Sequence, residues 1–260
     1  MEKKEESKAG VYLYVLAMTT ITALILSLLY TSLNPLFEYN KAEAKKEAIL
    51  SCIPNLGIDV HDPKSVEEAY AKINLYAVNN SGKIFTEDDL DQINEMTGGG
   101  AKKYRYLADI NLANEEKRDP ENRLYPVYEY KGEKTYYVVA IRGNGLWDKI
   151  WGYIALEADL NTIAGVYFDH KNETPGLGAE IKDSEPFKKQ FVGKKVFEGE
   201  HVALTVLKRA KEGIHYVTGI SGATITSEGV TDMFISGMSQ YEMHFEHLHG
   251  DEENLDKTKL

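Results

Sequence analysis

Residues 135–170 read TYYVVAIRGNGLWDKIWGYIALEADLNTIAGVYFDH, and three segments within them carry β-forming side chains between Gly, Asn and Asp. Thr135 to Arg142, Gly152 to Ala158 and Thr162 to His170 are rich in Val, Ile, Tyr and Phe, which suit a pleated, half-buried surface. Short links between consecutive strands predict an antiparallel meander. Further strands are expected at His201 to Leu207 and Ile214 to Thr218, with helices at Glu185 to Phe191 and Ser227 to His244 covering the sheet. The expected class is α+β, an antiparallel sheet flanked by helices.

At the N-terminus, no residue between Lys8 and Glu38 is charged, and Val11 to Tyr30 is a run of mostly Val, Leu, Ile, Ala, Met and Tyr. As a helix this run is about 30 Å long, the thickness of a bilayer's hydrocarbon core. It reads as a transmembrane helix over residues 11–36, too long for a cleavable signal and with no small-x-small cleavage site after it. Asn34-Pro35 is expected to break the helix near the far interface, with Tyr12, Tyr14 and Tyr30 as interfacial aromatics. Lys3, Lys4 and Lys8 on one flank match Lys41, Lys45 and Lys46 on the other, so charge leaves the orientation open.

Residues 1–10 are then a short tail, and 37–125 a stalk (KAEAKKEAIL) with a membrane-proximal α+β subdomain. That subdomain is expected to hold a helix over Ser65 to Lys72, strands over Ile73 to Val78 and Gly82 to Phe85, and a helix over Glu87 to Met96 that stops at Gly98-Gly99-Gly100. A polar loop, Asn111 to Arg123, marks the boundary with the main domain at 126–249, and 250–260 is an acidic tail of disordered composition.

Composition excludes several functions. A net charge of −11 without a dense Lys/Arg run argues against nucleic acid as a partner. One cysteine, Cys52, excludes an intrachain disulfide, a Cys-ligated cluster and a multi-thiolate zinc site, and reads as a small buried apolar residue. His244, His247 and His249 form H-x-x-H-x-H, which reads as a solvated helix end rather than a metal site because it runs into a charged tail.

Three Gly-bearing segments carry the chemistry. In Gly219 to Glu228 (GISGATITSE), Ser221, Thr224, Thr226 and Ser227 supply hydroxyls, Gly222 and Ala223 remove bulk, and an apolar period follows at Val230, Met233, Phe234 and Met238. This is a turn feeding a helix N-terminus, open to two readings: an ordinary helix start, or a cradle for a phosphate. In Glu173 to Gly178 (ETPGLG), the Pro-Gly pair fits a type II turn with Gly176 at positive φ, so Leu177 and the exposed backbone could meet a flat aromatic ligand, or the segment is a plain strand-to-helix loop. Gly143 and Gly145 in GNGLW supply only the start of a dinucleotide signature, without the third Gly or a βαβ context, and a Rossmann fold is rejected. That leaves a flexible loop with Trp147 and, beyond it, Trp151.

Together SGATIT, ETPGLG and GNGLW resemble the FMN-binding domain family, in which the flavin phosphate is esterified to the last hydroxyl of an S/T-G-A-S/T-x-S/T motif; here that is Thr226. The wider run IRGNGLWDKIWGYIALEADLNTIAGVYFDHKNETPGLGAEI over residues 141–181, the chain length and the N-terminal anchor resemble the family of C subunits of the Na+-translocating NADH:quinone oxidoreductase. The related G subunit of Rnf-type complexes, the alternative reading, shares SGAT and ETPGLG but not GLW…GYIAL. One departure is Thr218-Gly219, where the family often has Asp-Ala. A third reading from a different class is a membrane-tethered binding or sensor domain without flavin.

The resemblance implies an electron-relay subunit that carries FMN covalently and works with the other subunits of a sodium-pumping NADH:quinone reductase. It implies maturation by a separate Mg2+-dependent flavin transferase using FAD, and a single-pass protein of the bacterial inner membrane with its domain on the periplasmic side. In this picture Thr226 is an exposed attachment hydroxyl, with Ser221, Gly222, Ala223 and Thr224 around the phosphate. Gly145, Leu146, Trp147 and Leu177 flank the ring system, and Thr174, Gly176 and loop amides meet its polar edge. Lys208 offsets negative charge, while Glu173 lies beside the cofactor as a solvated or capping carboxylate and His170 as an ordinary strand-end residue. The chain itself has neither an NADH fingerprint nor cluster-ligating thiolates, so partners are needed.

Overall fold

The structure, a computed structural model, describes residues 8–59, 62–96, 103–209 and 211–248. Expectations for Gly98 to Gly100, His249 and the tail at 250–260 lie outside them. The chain divides into two compact units, Met1–Lys46 and Glu47–Leu260.

Helix α1 (Lys8–Ser51) supplies the first unit. Its apolar side chains, among them Leu13, Leu16, Ile21, Leu28 and Leu33, are exposed on every side, the pattern of a helix that meets lipid all round. Among the described residues it is the one helix long and apolar enough to cross a bilayer. The break expected at Asn34-Pro35 is absent, since α1 runs through Pro35 without interruption. Proline removes one backbone donor from a helix, and a good helix-forming sequence on both sides carries the winding across that loss.

In the second unit the end of α1 buries Ala48, Ile49 and Leu50. A six-stranded sheet follows in the order β2-β1-β3-β4-β5-β6, with β1 (Ile73–Val78), β2 (Ile84–Phe85), β3 (Tyr125–Lys131), β4 (Thr135–Asn144), β5 (Lys149–Leu156) and β6 (Ile163–His170). Every neighbouring pair is antiparallel, so the meander read from residues 135–170 is realised within a residue or two at most ends. Strand β3 is not among the strands expected from the sequence. Its Pro126 argues against a central strand, yet it pairs with β1 from Ile73↔Tyr130 to Val78↔Tyr125 and with β4 from Val127↔Val139 to Lys131↔Thr135. The segments on either side of residue 125 therefore share one sheet.

Alternation along the strands sends neighbours to opposite faces. Val127, Val139, Ile141, Ile154 and Phe168 pack with α7 (Thr224–Met238) through Val230, Met233, Phe234 and Met238. On the other face Tyr128, Tyr130, Val138 and Ala155 pack with the end of α1 and with α2 (Pro63–Tyr70), which Asp62 caps. Cys52 is buried there, as expected, and burial pushes its thiol far above the ordinary range. A smaller cluster under α3 (Leu90–Met96) joins Ala77, Phe85, Ile93, Leu107 and Leu124, and α4 (Leu112–Glu115) lies within the segment expected to be loop.

After β6 the chain forms α5 (Glu180–Asp183) and α6 (Glu185–Lys189). The strand expected over His201 to Leu207 is divided: β8 (His201–Val202) pairs with β7 (Phe197–Glu198), and β9 (Thr205–Leu207) pairs in parallel with β10 (Tyr216–Thr218). The helix expected from Ser227 to His244 begins at Thr224 and ends at Met238, with a separate helical segment at 242–248.

Candidate functional site

Three turns converge at the start of α7. The first follows β10, where Gly222 holds φ at +81°, a left-handed conformation that costs an L side chain energy. The Ala223 N–H donates to Ile220 O at 3.1 Å, and the Ile220 N–H donates to Ser227 Oγ at 3.0 Å, so the first turn of the helix is tied back onto its own approach. The N-cap Ala223 offers no side-chain bond, which leaves first-turn N–H groups without a side-chain acceptor from the cap.

The second turn leaves β6. His170 Nδ1 accepts from the Glu173 N–H at 3.1 Å, and the Leu177 N–H donates to Thr174 O at 3.1 Å around Gly176 at φ +74°, as the Pro-Gly pair predicts. The third joins β4 to β5 and is closed by the Gly145 N–H donating to Asp148 O at 2.8 Å, a tight hairpin rather than a flexible loop.

Glu173 binds all three together. Its Oε1 accepts from the Trp147 N–H at 2.9 Å, and its Oε2 accepts from the Thr226 hydroxyl at 2.7 Å. The Trp147 indole N–H adds a bond to Thr174 Oγ1 at 3.1 Å. Two expectations are corrected here. Thr226 is 1% exposed and Glu173 5%, so neither the attachment hydroxyl nor the carboxylate faces solvent. The cause is close packing against glycines of two different turns. A Cβ on Gly178 would stand 2.7 Å from Thr226 Oγ1, and one on Gly145 would stand 2.5 Å from Glu173 Oε1. His170, read as incidental, positions Glu173 through its backbone.

Outside this buried contact, each turn presents an exposed apolar side chain: Leu146 (45%), Trp147 (67%), Leu177 (41%) and Ile225 (55%). Leu177 lies against Gly222, where a Cβ would come within 2.9 Å of its Cδ2. Ile225 escaped the sequence reading, although a large apolar residue between two threonines at a helix start was a legible signal. Ser221 and Gly222 are exposed and Ala223 is buried.

Thr224 and Lys208 line a cavity of about 220 Å³ together with Thr205, Leu207, Ile220 and Glu228. Thr226 is not part of it. Two residues along a helix turn the side chain by about 200°, so Thr224 and Thr226 face different sides. The expected binding residues thus divide: Glu173, Thr174, Gly145, Trp147 and Thr226 meet directly, while Thr224 and Lys208 border the neighbouring cavity. Trp151 is a half-buried strand residue opposite Arg142 and Asp169, apart from the turns.

Of the histidines expected at a solvated helix end, His247 is exposed as expected, His249 lies outside the described residues and His244 differs. His244 is 1% exposed, with Nε2 at 3.0 Å from the Tyr76 hydroxyl. Among the described residues no three His, Cys, Asp or Glu side chains are grouped to hold a metal.

A family model for the FMN-binding domain matches residues 145–238, from the hairpin turn with Trp147 to the end of α7. The C subunit of the Na+-translocating NADH-quinone reductase of Haemophilus ducreyi is 31% identical over 240 residues, 88% of this chain and 89% of that protein. The chain belongs to this C-subunit family. The C subunit of the same reductase from Neisseria meningitidis serogroup A is also 31% identical, over 90% of this chain and 92% of its own. The crystal structure of the Parabacteroides distasonis C subunit superposes with a TM-score of 0.66 at 30% identity, covering 82% of this chain and 96% of that one. In this member of the C-subunit family, the match to the FMN-binding model encloses all three turns that Glu173 joins.

Proposed function

We propose that this chain is the electron-relay subunit of a membrane NADH:quinone reductase that pumps Na+, and that FMN is joined to it by a phosphoester at Thr226. What supports this most is one observation: the last hydroxyl of SGATIT lies where the three turns of the FMN-binding match meet. Family membership supports the partners, namely the other subunits of the complex, and α1 supports membrane anchorage. The periplasmic placement of the domain and maturation by a flavin transferase belong to the same proposal.

The residues present fit the cofactor. Leu146, Trp147, Leu177 and Ile225 offer exposed apolar surface for a flat ring system, and the exposed backbone at Ser221, Gly222 and Gly176 offers polar groups beside it. Thr224 and Lys208 border a cavity next to the helix start, where N–H groups and the Lys208 cation favour an anion while Glu228 and Asp232 on the same lining oppose one. When bound, FMN supplies the redox chemistry while the protein sets its position and potential. Because Thr226 is buried under Gly178, the turn from Thr174 to Gly178 has to withdraw before the hydroxyl can be esterified.

The test is intact-mass analysis of the chain after co-expression with a flavin transferase. One added FMN ester that maps to Thr226, and is missing from Thr226→Ala, is the expected result. A bare polypeptide mass for the native chain, or flavin on another residue, would overturn the proposal. Co-purification of a hydrophilic NADH-oxidising flavoprotein distinguishes the quinone reductase from an Rnf-type complex.

A further inference from the structure

We infer that Glu173 is the base that takes the proton from Thr226 as that hydroxyl is esterified; the inference rests on the covalent-FMN proposal. A threonine hydroxyl is a weak nucleophile without a neighbouring base, and no His or Lys adjoins Thr226 in sequence. Folding brings a base from 53 residues away. Thr226 Oγ1 donates to Glu173 Oε2 at 2.7 Å, within the reach required of a general base.

The carboxylate is held for this role from several sides. Its other oxygen accepts from the Trp147 N–H, its own N–H is bound by His170 Nδ1, and Gly145 and Gly178 leave it room. Its two oxygens stand 2.9 Å from the Trp147 nitrogen and 2.7 Å from the Thr226 hydroxyl oxygen. The second oxygen is committed to Thr226, the last hydroxyl of SGATIT, and that same bond ties the α7 turn to the other two.

In the step itself Thr226 Oγ forms a bond to the phosphorus on the riboflavin side of FAD, supplied by the transferase. The bond from that phosphorus to the bridging oxygen breaks, and AMP leaves with the oxygen. The Thr226 proton passes to Glu173 Oε2, so the products are a phosphodiester at Thr226, AMP and a neutral Glu173. Nothing is oxidised or reduced. Keeping that proton also removes the repulsion that a carboxylate would otherwise exert on the new anion beside it.

The experiment uses the full chain in detergent with excess flavin transferase, FAD and Mg2+, and follows covalent incorporation in a single turnover by intact mass across a range of pH. Glu173→Gln should slow attachment by about 10²–10⁴-fold and flatten the rise of rate with pH expected of the native chain if a carboxylate takes the proton. Glu173→Asp, which keeps a base at a longer reach, should be intermediate and retain the pH dependence. Thermal unfolding of each variant shows that the turns still form. If Glu173→Gln is folded and gains flavin at the native rate with the native pH profile, the inference is wrong; so it is if folded Glu173→Asp matches Glu173→Gln in both rate and profile. Absence of flavin from native Thr226 would instead defeat the underlying covalent proposal, whatever the variants do.

Discussion

Thr226 carries its only hydroxyl inward, onto a carboxylate that is itself 5% exposed. Substituting it therefore has a folding consequence as well as a chemical one. In Thr226→Ala the Oε2 atom of a buried Glu173 loses its donor, and such an orphaned acceptor costs about 1–3 kcal/mol. A lowered midpoint in chemical denaturation is expected for the chain before flavin attachment, whereas Thr226→Ser, which keeps the hydroxyl, should lie nearer the native value. An unchanged midpoint for the alanine variant would mean that the bond contributes nothing. The run of hydroxyls from Ser221 to Thr226 was legible because these residues are consecutive, while the choice of Thr226 among them came from the family resemblance. Its burial was not, since that depends on Glu173 and on glycines in two other turns.

Helix α7 is the element whose sequence pattern and structure agree best. Val230, Met233, Phe234 and Met238 recur at helical spacing, and all four are buried against the sheet. Phe234 stacks on Phe191 with ring centroids 5.6 Å apart and an interplanar angle of 11°, and meets Phe168 edge-on at 6.2 Å. Phe234→Ala should cost about 3–5 kcal/mol, the range for a large aromatic removed from a packed core. Denaturation of the purified variant checks this, and a loss below about 1 kcal/mol would show that the cluster repacks without it. By contrast α1 passes Pro35, where the expectation of a break misled, and β3, which was not among the expected strands, contains Pro126. In each case the flanking context, a strong helix former or two paired neighbours, outweighed one missing backbone donor.

Across the whole second unit, His244 near the end of the described chain meets Tyr76 on β1. Burial is the first cause that pushes the His244 imidazole down to about 4 from 6.5, the nearby His247 adds to it, and Glu129 opposes. Among the described residues its Nδ1 has no hydrogen-bond partner. The unfolded chain thus binds a proton between these two values that the folded chain does not, so stability present at neutral pH is lost as pH falls from 6.5 to 4. The effect is about 3 kcal/mol. Unfolding midpoints measured from pH 7 to 4 should fall more steeply for the native chain than for Tyr76→Phe/His244→Leu; equal slopes would remove His244 from the account. The anchor, the meander of β4 to β6, the apolar stripe of α7 and the SGATIT hydroxyls could all be read along the chain, because hydropathy, period and turn chemistry depend on residues a few positions apart. The place of β3 between β1 and β4, the Glu173 to Thr226 bond and the Tyr76 to His244 contact could not. They join residues tens to well over a hundred positions apart, and such partners are selected by the packing of the entire unit, to which no local signal responds.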